Sequence, residues 1–476
     1  MRSDTADFKK IYKLDRGFAP RGRSTMHWVF IATGLLFCLA TLGFALTCLS
    51  EQERRAALLT FLFTGMIAVL WFGFGAAFPE ATLSVAAAAW GATAVAVLLL
   101  ALPIGKPRPL AIDPSKVERF DERHIMFGRA ELRKGTPQYE EYYAHLNPGA
   151  KETDDGIRAM PKLGEPGAKY YDEFDSRYMV SVFEFIDKYR HLAEPGEPGR
   201  NPARIDPPEA TRRIKGFARH LGVLDVRATR LRDYHVYSHA GRHLSNWGEE
   251  IKLQHDYAVV FSVEMSFRMV HSAPLPPTAV ETSVEYMKIA NIAICLATYI
   301  KNLGYNARAH LDGNYKVLTT AVAQDAGLGE LGRLGLIVTP KHGPRVRTAV
   351  VTTDLPLIED PPINIGVQHF CEICKKCAEN CPSQSIERGE KREVRGVTKW
   401  QSKMEGCYKY WRSAGTDCSI CLAVCPYSKP DTPYHRILRF FIKRNAPARR
   451  LAFFLDHVLY GKRPRHIHKP EWFSPA

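Results

Sequence analysis

Eight cysteines between residues 371 and 425 carry the clearest chemistry in this 476-residue chain. The first four read Cys371-Glu-Ile-Cys374-Lys-Lys-Cys377-Ala-Glu-Asn-Cys381-Pro. In the second four, Cys407 stands ten residues ahead of Cys418-Ser-Ile-Cys421-Leu-Ala-Val-Cys425-Pro. C-x2-C-x2-C-x3-C-P is the spacing with which bacterial ferredoxins hold [4Fe–4S] cubes, three thiolates of a run on one cube and the fourth on the other. Iron in such a cube takes soft thiolate ligands, and a proline after the last cysteine stops the local helix. Two runs predict two cubes, one on Cys371, Cys374, Cys377 and Cys425, the other on Cys381, Cys407, Cys418 and Cys421. The alternatives are zinc-binding pairs and a disulfide framework, which rarely use this nested three-plus-one spacing.

The remaining cysteines, Cys38, Cys48 and Cys295, lie in apolar surroundings and read as packing residues. Nothing therefore asks for an oxidising compartment. The net charge of +15 would suit nucleic acid, an anionic membrane surface or an acidic ligand. No nucleic-acid motif accompanies it, so no nucleic-acid partner is expected. A membrane is favoured instead. After a basic arm over 1–26, the region 27–104 holds three apolar stretches at about 27–49, 57–79 and 81–104. Each is long enough for the ~20-residue helix that crosses a ~30 Å hydrocarbon core. Three such stretches predict retained, multi-pass anchoring rather than a cleaved signal peptide. Seven Lys/Arg fall on each side of the spans, so the positive-inside count is a tie. No twin-arginine pair precedes the first stretch, and the soluble portion is expected in the cytoplasm, with the anchor in the inner membrane. The spans carry no histidine pair that could hold a haem. They read as an anchor or as a docking site for an electron donor.

Residues 105–210 are rich in Pro, Gly, Tyr and charge, with turns at Gly164-Glu-Pro-Gly167 and Glu194-Pro-Gly-Glu-Pro-Gly199. They read as a connector of little periodicity that wraps over the next domain. From 211 the pattern becomes α/β. Helices are predicted over 211–221 and 281–303, and buried strands over 257–263 and 348–353. The second helix has an apolar face through Tyr286, Ile289, Ala290, Ala293, Ile294 and Ala297, with Gly304 as its cap. Between 327 and 335 stand Gly327, Gly329, Gly332 and Gly335. Such a stretch lets backbone approach a large ligand, although it is neither a Walker loop nor a dinucleotide fingerprint. An α/β domain over 211–360 thus precedes the cysteine module at 361–430. A basic extension over 431–476 comes last, read either as an amphipathic helix on a membrane face or as a terminal helix packed on the module.

The order of these pieces carries a resemblance. Leu303-Gly-Tyr-Asn-Ala307 is followed by His310-Leu-Asp-Gly-Asn-Tyr315, the glycine stretch, Gly343-Pro-Arg-Val-Arg347, Thr352-Thr-Asp-Leu-Pro-Leu357 and the two cysteine runs; Glu122-Arg-His-Ile-Met-Phe127 lies upstream. Over roughly 115–470 the chain resembles the reductive dehalogenases, corrinoid iron–sulfur enzymes that remove halide from organohalides. The resemblance implies a nitroreductase-like α/β domain holding cobalamin base-off, fed through the two cubes. Electrons would come from a separate donor: a ferredoxin, a flavodoxin or a membrane carrier. Epoxyqueuosine reductase, a tRNA-modifying relative with the same layout, stays open as an alternative, with Asp312 as its acidic residue. So does a non-catalytic membrane-bound electron-transfer protein.

By the same resemblance, Tyr286 is the expected proton donor, Arg347 its cationic neighbour with Arg345 as the alternative, and Asn314 a pocket residue that orients substrate. Tyr237 and His239, in Tyr237-Ser-His-Ala-Gly-Arg242, together with Gly327, Gly329 and Gly332, are expected at the corrinoid. Trp400 and Trp411 flank Cys407 and would wall the pocket. Asp233-Tyr-His235 is similar to the D-x-H-x-x-G run through which other B12 proteins ligate cobalt, but its final glycine is missing, and His235 is not assigned. Each site residue also has a plain structural reading: core packing for Tyr286, an ion pair for Arg347, a turn for Asn314.

Overall fold

The computed structural model describes residues 21–464, apart from 106, 111 and 200, and residues 469–473. The expected basic arm lies outside them up to residue 20, as do 465–468 and 474–476 of the basic extension. The chain divides into two units, residues 1–100 and 101–476.

The first unit consists of α1 (Arg21–Ser50), α2 (Arg54–Ala77) and α3 (Thr82–Ala101). Three stretches, His27–Ser50, Arg54–Ala77 and Pro79–Ala101, are long and apolar enough to cross a membrane. Small residues let the helices close on one another, as they do where lipid leaves no hydrophobic drive between helices. A methyl group on Gly34 would fall 2.4 Å from Trp71, and one on Gly75 would fall 2.5 Å from Phe30. The Phe30 and Trp71 rings stack at 4.6 Å, and the Trp71 indole donates to the Phe30 carbonyl at 3.0 Å.

The second unit opens with α4 (Met126–Glu131), α5 (Pro137–Glu141), α6 (Lys151–Arg158) and α7 (Glu173–Tyr189). The segment 105–210, read from its sequence as a connector of little periodicity, holds these four helices. Asp172 caps the 17-residue α7 by accepting from the Phe174 and Asp175 amides, and α7 packs along the long helix at Pro276–Asn302. Short elements broken by Pro and Gly hid that order from composition. Arg129 holds the segment down through the buried Asp154 at 2.7 Å and Glu405 at 2.6 Å.

Next come α8 (Pro207–His220), β1 (Asp225–Arg230), β2 (Tyr257–Glu264), α9 (Phe267–Val270), α10 (Pro276–Asn302), β3 (Ala307–His310), α11 (Thr319–Asp325), β4 (Glu330–Leu331), β5 (Ile337–Val338) and β6 (Val346–Thr353). The main sheet runs β1-β2-β6-β3 with every neighbour antiparallel, Val260 opposite Val350 and Val263 opposite Arg347. Unbroken apolar strands such as Ala258–Phe261 need cover on both faces. On one face α10 supplies Ile289, Ala293, Leu296 and Ile300; on the other, α11 supplies Val322 and Ala323. Each Ile, Leu or Val among them contributes roughly 1.5–3 kcal/mol on burial. Helix α10 starts five residues before the predicted bound because Pro276 and Pro277 suit a first helical turn. It ends, as predicted, ahead of Gly304.

The cysteine module comprises α12 (Val367–Cys374), α13 (Lys376–Glu379), β7 (Arg392–Val394), β8 (Val397–Lys399), α14 (Met404–Ala414) and α15 (Ile420–Ala423); α16 (Pro433–Ile442) and α17 (Ala446–Tyr460) complete the unit. The glycine stretch lies where α11, β4 and β5 meet. A Cβ on Gly327 would sit 2.2 Å from the Pro361 carbonyl oxygen, and Gly327 has φ +72°; one on Gly329 would meet Ile337 at 2.5 Å and the Val338 oxygen at 2.6 Å. Gly327→Ala is therefore expected to cost about 1–3 kcal/mol, since neither the backbone oxygen nor the left-handed conformation can yield. Gly216→Ala, at an exposed α8 position with nothing within 4 Å, should instead stabilise by up to about 1 kcal/mol. Thermal unfolding of the two variants in detergent checks the opposite signs.

Candidate active site

Two turns of the same design bring the cysteines together. In Cys374-Lys375-Lys-Cys377 and Cys418-Ser419-Ile-Cys421, the residue after the first cysteine is left-handed, Lys375 at φ +53° and Ser419 at +51°, and it starts the short helix carrying the next cysteine. Each turn thereby folds two sulfurs toward one centre. Burial raises these thiols, and so do their neighbours. For Cys374 the neighbours are Cys425 and Cys371; for Cys418 they are Cys407 and Cys381, after the nearby Asp417. Burial pushes Cys371 up to about 11 and Cys407 and Cys425 up to about 12. The strongest thiol neighbours thus divide into Cys371, Cys374, Cys377, Cys425 and Cys381, Cys407, Cys418, Cys421, with Cys377 and Cys421 also facing across. Among the described residues no three His, Cys, Asp or Glu close on a single ion, as zinc with its ~2.3 Å Zn–S bonds would demand. Two groups of four neighbouring thiols have the number and the chemistry that two cubes require. The Cys381 sulfur also accepts from the Ser385 amide at 3.3 Å.

Beside the second quartet opens a cavity of about 750 Å³. Its wall is assembled from distant parts of the chain. Thr282 and Tyr286 lie one turn apart on α10, so they share a face. Arg347 comes from β6, Asp312 from the turn after β3, Arg242 from the loop before β2, Phe127 from α4, Trp411 from α14, and Asp417 from the residue before Cys418. The Arg347 guanidinium lies 4.9 Å from the Tyr286 ring centroid. It donates to the Thr282 hydroxyl at 2.7 Å and faces Asp417 at 3.3 Å; the Thr282 hydroxyl in turn donates to Asp417 at 2.5 Å. Burial raises the Tyr286 phenol above its ordinary value, against the pull of Arg347. Burial likewise raises Asp417 against Arg347, and Asp312 against Arg242. Arg347 Nε, Asp417 Oδ1 and Arg242 Nη1 are buried without a hydrogen-bond partner. Buried polar atoms seldom stay unpaired, so this wall fits a large polar cofactor and its substrate.

The expected residues divide. Tyr286 and Arg347 meet in the cavity, whereas Arg345 is interior, donating to Glu264, the Met265 carbonyl and the Ser428 carbonyl. Asn314 accepts from Arg308 at 2.5 Å and donates to the Arg190 carbonyl at 3.0 Å. It lines a separate cavity of about 180 Å³ that shares Arg242 and His243 with the larger one. Tyr237 packs in the core beside Phe120 and Tyr315, and His239 faces Ser238 and Asp121. Neither is part of the large cavity's wall; the Arg242 that closes their segment is. The space beside Gly327, Gly329 and Gly332 is filled by the chain's own atoms. Trp411 lines the cavity, while Trp400 is buried under Arg333 at 4.3 Å. Both ring nitrogens of His235 are engaged, one by Asp325 at 2.9 Å and the other by the Arg232 amide at 3.1 Å. His310 is also satisfied, by Thr352, Arg308 and the Lys316 amide. Thr282 and Asp417 went unread in the sequence; adjacency to Cys418 was the one available sign for Asp417.

Residues 370–429 match the family model described as a 4Fe-4S dicluster domain. The tetrachloroethene reductive dehalogenase of Sulfurospirillum multivorans is 30% identical over 318 residues, which cover 60% of this chain and 62% of that protein. The solved structure of the catabolic reductive dehalogenase NpRdhA, in complex with 3-bromo-4-hydroxybenzoic acid, superposes with a TM-score of 0.61 at 25% identity, covering 75% of this chain and 49% of that one. A shorter stretch of 118 residues is 30% identical to the epoxyqueuosine reductase of Lactococcus garvieae, covering 24% of this chain and 32% of that protein. The chain thus spans less than two thirds of each of these proteins.

Asp417→Ala should destabilise the protein by roughly 3 kcal/mol, because it strands the Arg347 charge in a buried wall. Adding Arg347→Met should recover part of that loss, measured by chemical denaturation of both variants.

Proposed function

We propose that this chain, a homologue of the reductive dehalogenases and an oxidoreductase, removes halide from an organohalide at the cavity between α10, β6 and the second cysteine quartet. The net change is R–X plus two electrons and one proton giving R–H and X⁻. The observation that carries the proposal is the Arg347 guanidinium over the Tyr286 ring, joined through Asp417 to the residue that bears the Cys418 thiol. The cofactors are a corrinoid and two [4Fe–4S] clusters. When bound, the corrinoid supplies low-potential electron transfer to the carbon–halogen bond. Arg242, Arg347 and Asp417 offer it and the substrate their unpaired polar atoms. Both His235 nitrogens are taken within the chain, so His235 is not among the residues that would hold the cofactor.

Tyr286 holds the proton at its phenol oxygen. Burial keeps that phenol protonated beyond its ordinary value near 10. Arg347 stabilises the phenolate left after transfer, and Thr282 and Asp417 fix the guanidinium over the ring. Phe127, Tyr408 and Trp411 shield this wall from water. Cys381, Cys407, Cys418 and Cys421 hold the inner cluster, and Cys371, Cys374, Cys377 and Cys425 the outer one. An external ferredoxin, flavodoxin or membrane carrier delivers electrons to the outer cluster. The protein is a multi-pass inner-membrane protein with its second unit in the cytoplasm.

A second reading, epoxyqueuosine reduction, is favoured by one observation, the presence of Asp312 in the same cavity. Halide release and modification of an epoxyqueuosine-containing tRNA separate the two. Tyr286→Phe should lower halide release by about 10²–10⁴-fold, while EPR still shows a base-off Co(II) signal and two [4Fe–4S] signals. Unchanged halide release would remove Tyr286 from its role, and a preparation without the cobalt signal would sink the proposal.

A further inference from the structure

We infer that the α16–α17 hairpin is a docking element for an anionic lipid surface, a membrane contact separate from the spans. Three observations bear on it. The first is an apolar row on the outward faces. Outward-facing residues of α17 recur at helical spacing as Arg450, Leu451, Phe454, Leu455 and Val458, and those of α16 are Arg436, Ile437, Leu438 and Phe440. Ile437 is 59% exposed and Phe454 61%. The inward faces bury Arg449, Asp456, Asn445 and His435 together with Ile442, Ala448 and Ala452. A helix at a water-facing surface turns its apolar stripe to the core. This pair leaves a row of large apolar side chains facing outward among exposed cations, which suits the boundary between headgroups and acyl chains.

The second observation is charge. Residues 433–463 carry eight Lys/Arg and one acid, Asp456. That acid is buried and paired with Lys376. Lys443, Arg450, Lys462 and Arg463 are exposed around the apolar patch. A cationic rim about an apolar centre complements anionic headgroups. It does not complement a second copy of itself, because like charges would meet.

The third is position. The Asn445 side chain donates to the Leu102 carbonyl at 2.8 Å, the Ala446 amide to the Ile104 carbonyl at 2.8 Å, and Arg449 to the Gly105 carbonyl at 2.5 Å. These carbonyls begin one residue after Ala101, the last residue of the third apolar span. Four residues of chain reach at most ~14 Å. The chain leaves the last apolar stretch within four residues of the corner between α16 and α17, which tethers that corner covalently to the stretch.

The inference rests on reading residues 27–101 as membrane spans, and its test carries a control for that reading. The full-length protein is placed in nanodiscs of mixed phosphatidylglycerol and phosphatidylcholine, with p-benzoylphenylalanine incorporated singly at Phe454, Ile437, Leu62 or Leu224. After illumination, mass spectrometry identifies the adducts. Lipid adducts are expected at Leu62, Phe454 and Ile437, and none at Leu224, an exposed residue elsewhere in the fold. The Phe454 yield should fall severalfold in pure phosphatidylcholine, and again when Lys443→Glu and Arg450→Glu are combined. A lipid adduct at Leu62 without one at Phe454 overturns the docking alone. A Phe454 adduct to a second chain assigns the face to self-association and overturns it too. No lipid adduct at Leu62 overturns the span reading and the docking with it.

Discussion

The second unit depends on how a buried guanidinium is compensated. Arg347 lines the cavity with only 12% of its side chain exposed, so its charge is answered mainly by neighbours. Asp417 answers it at 3.3 Å, Thr282 at 2.7 Å, and the Tyr286 ring face at 4.9 Å. A cation over such a ring gains about 0.5–2 kcal/mol. Those partners come from different layers: Arg347 from the central strand pair, Thr282 and Tyr286 from the helix covering the sheet, Asp417 from the cysteine module. A shift of any layer leaves a buried charge unpaired. The electrostatics of one side chain therefore lock sheet, helix and module into a common frame, and the cavity is the space they enclose.

The cysteine module obeys a different constraint, that of the local turn. A left-handed residue after Cys374 and another after Cys418 cost backbone strain, yet they let sulfurs two residues further on return to the same centre. The fourth sulfur of each quartet comes from the other run. The runs are thus interleaved, and the module cannot open at one quartet without disturbing the second. Helix α14 supplies Cys407 and, one turn on along the same face, Trp411 of the cavity wall. It is held by the earlier segment through Arg129 to Glu405 and through Arg412 to the Pro161 and Met160 carbonyls. The stretch between the apolar helices and the sheet brings Phe127 to the cavity and clamps the helix that carries both Cys407 and Trp411.

Helix α12, which carries Cys371 and Cys374, packs on α17. The first quartet thus lies under the C-terminal hairpin, whereas the second borders the cavity through Asp417. The two quartets face different environments, and burial and hydrogen bonds to sulfur are the levers that set cluster potentials. The Ser385 amide on Cys381 is one such lever on the cavity side.

Features written in short-range spacing are legible in the amino-acid order alone. The C-x2-C turns follow from the runs because each is built from adjacent residues. The three apolar helices follow from length and composition, and α10 and the two longest strands from apolar periodicity, with ends displaced by a few residues. Tyr286 and Arg347 are readable as candidates through the order of segments around them. The sequence offered Arg347 with Arg345 as the alternative; in the fold Arg345 points into the interior and Arg347 reaches the cavity. The sequence could not show that Gly327, Gly329 and Gly332 make room for neighbouring chain, that Asn314 is tied to Arg308, or that Trp400 lies under Arg333. Nor could it offer Asp417 as the partner of Thr282, 135 residues away. Periodicity and turn chemistry act within a few residues and leave marks in the sequence. The cavity wall is drawn from at least six separate segments, and only the packing of sheet, helix and module determines which of their side chains meet.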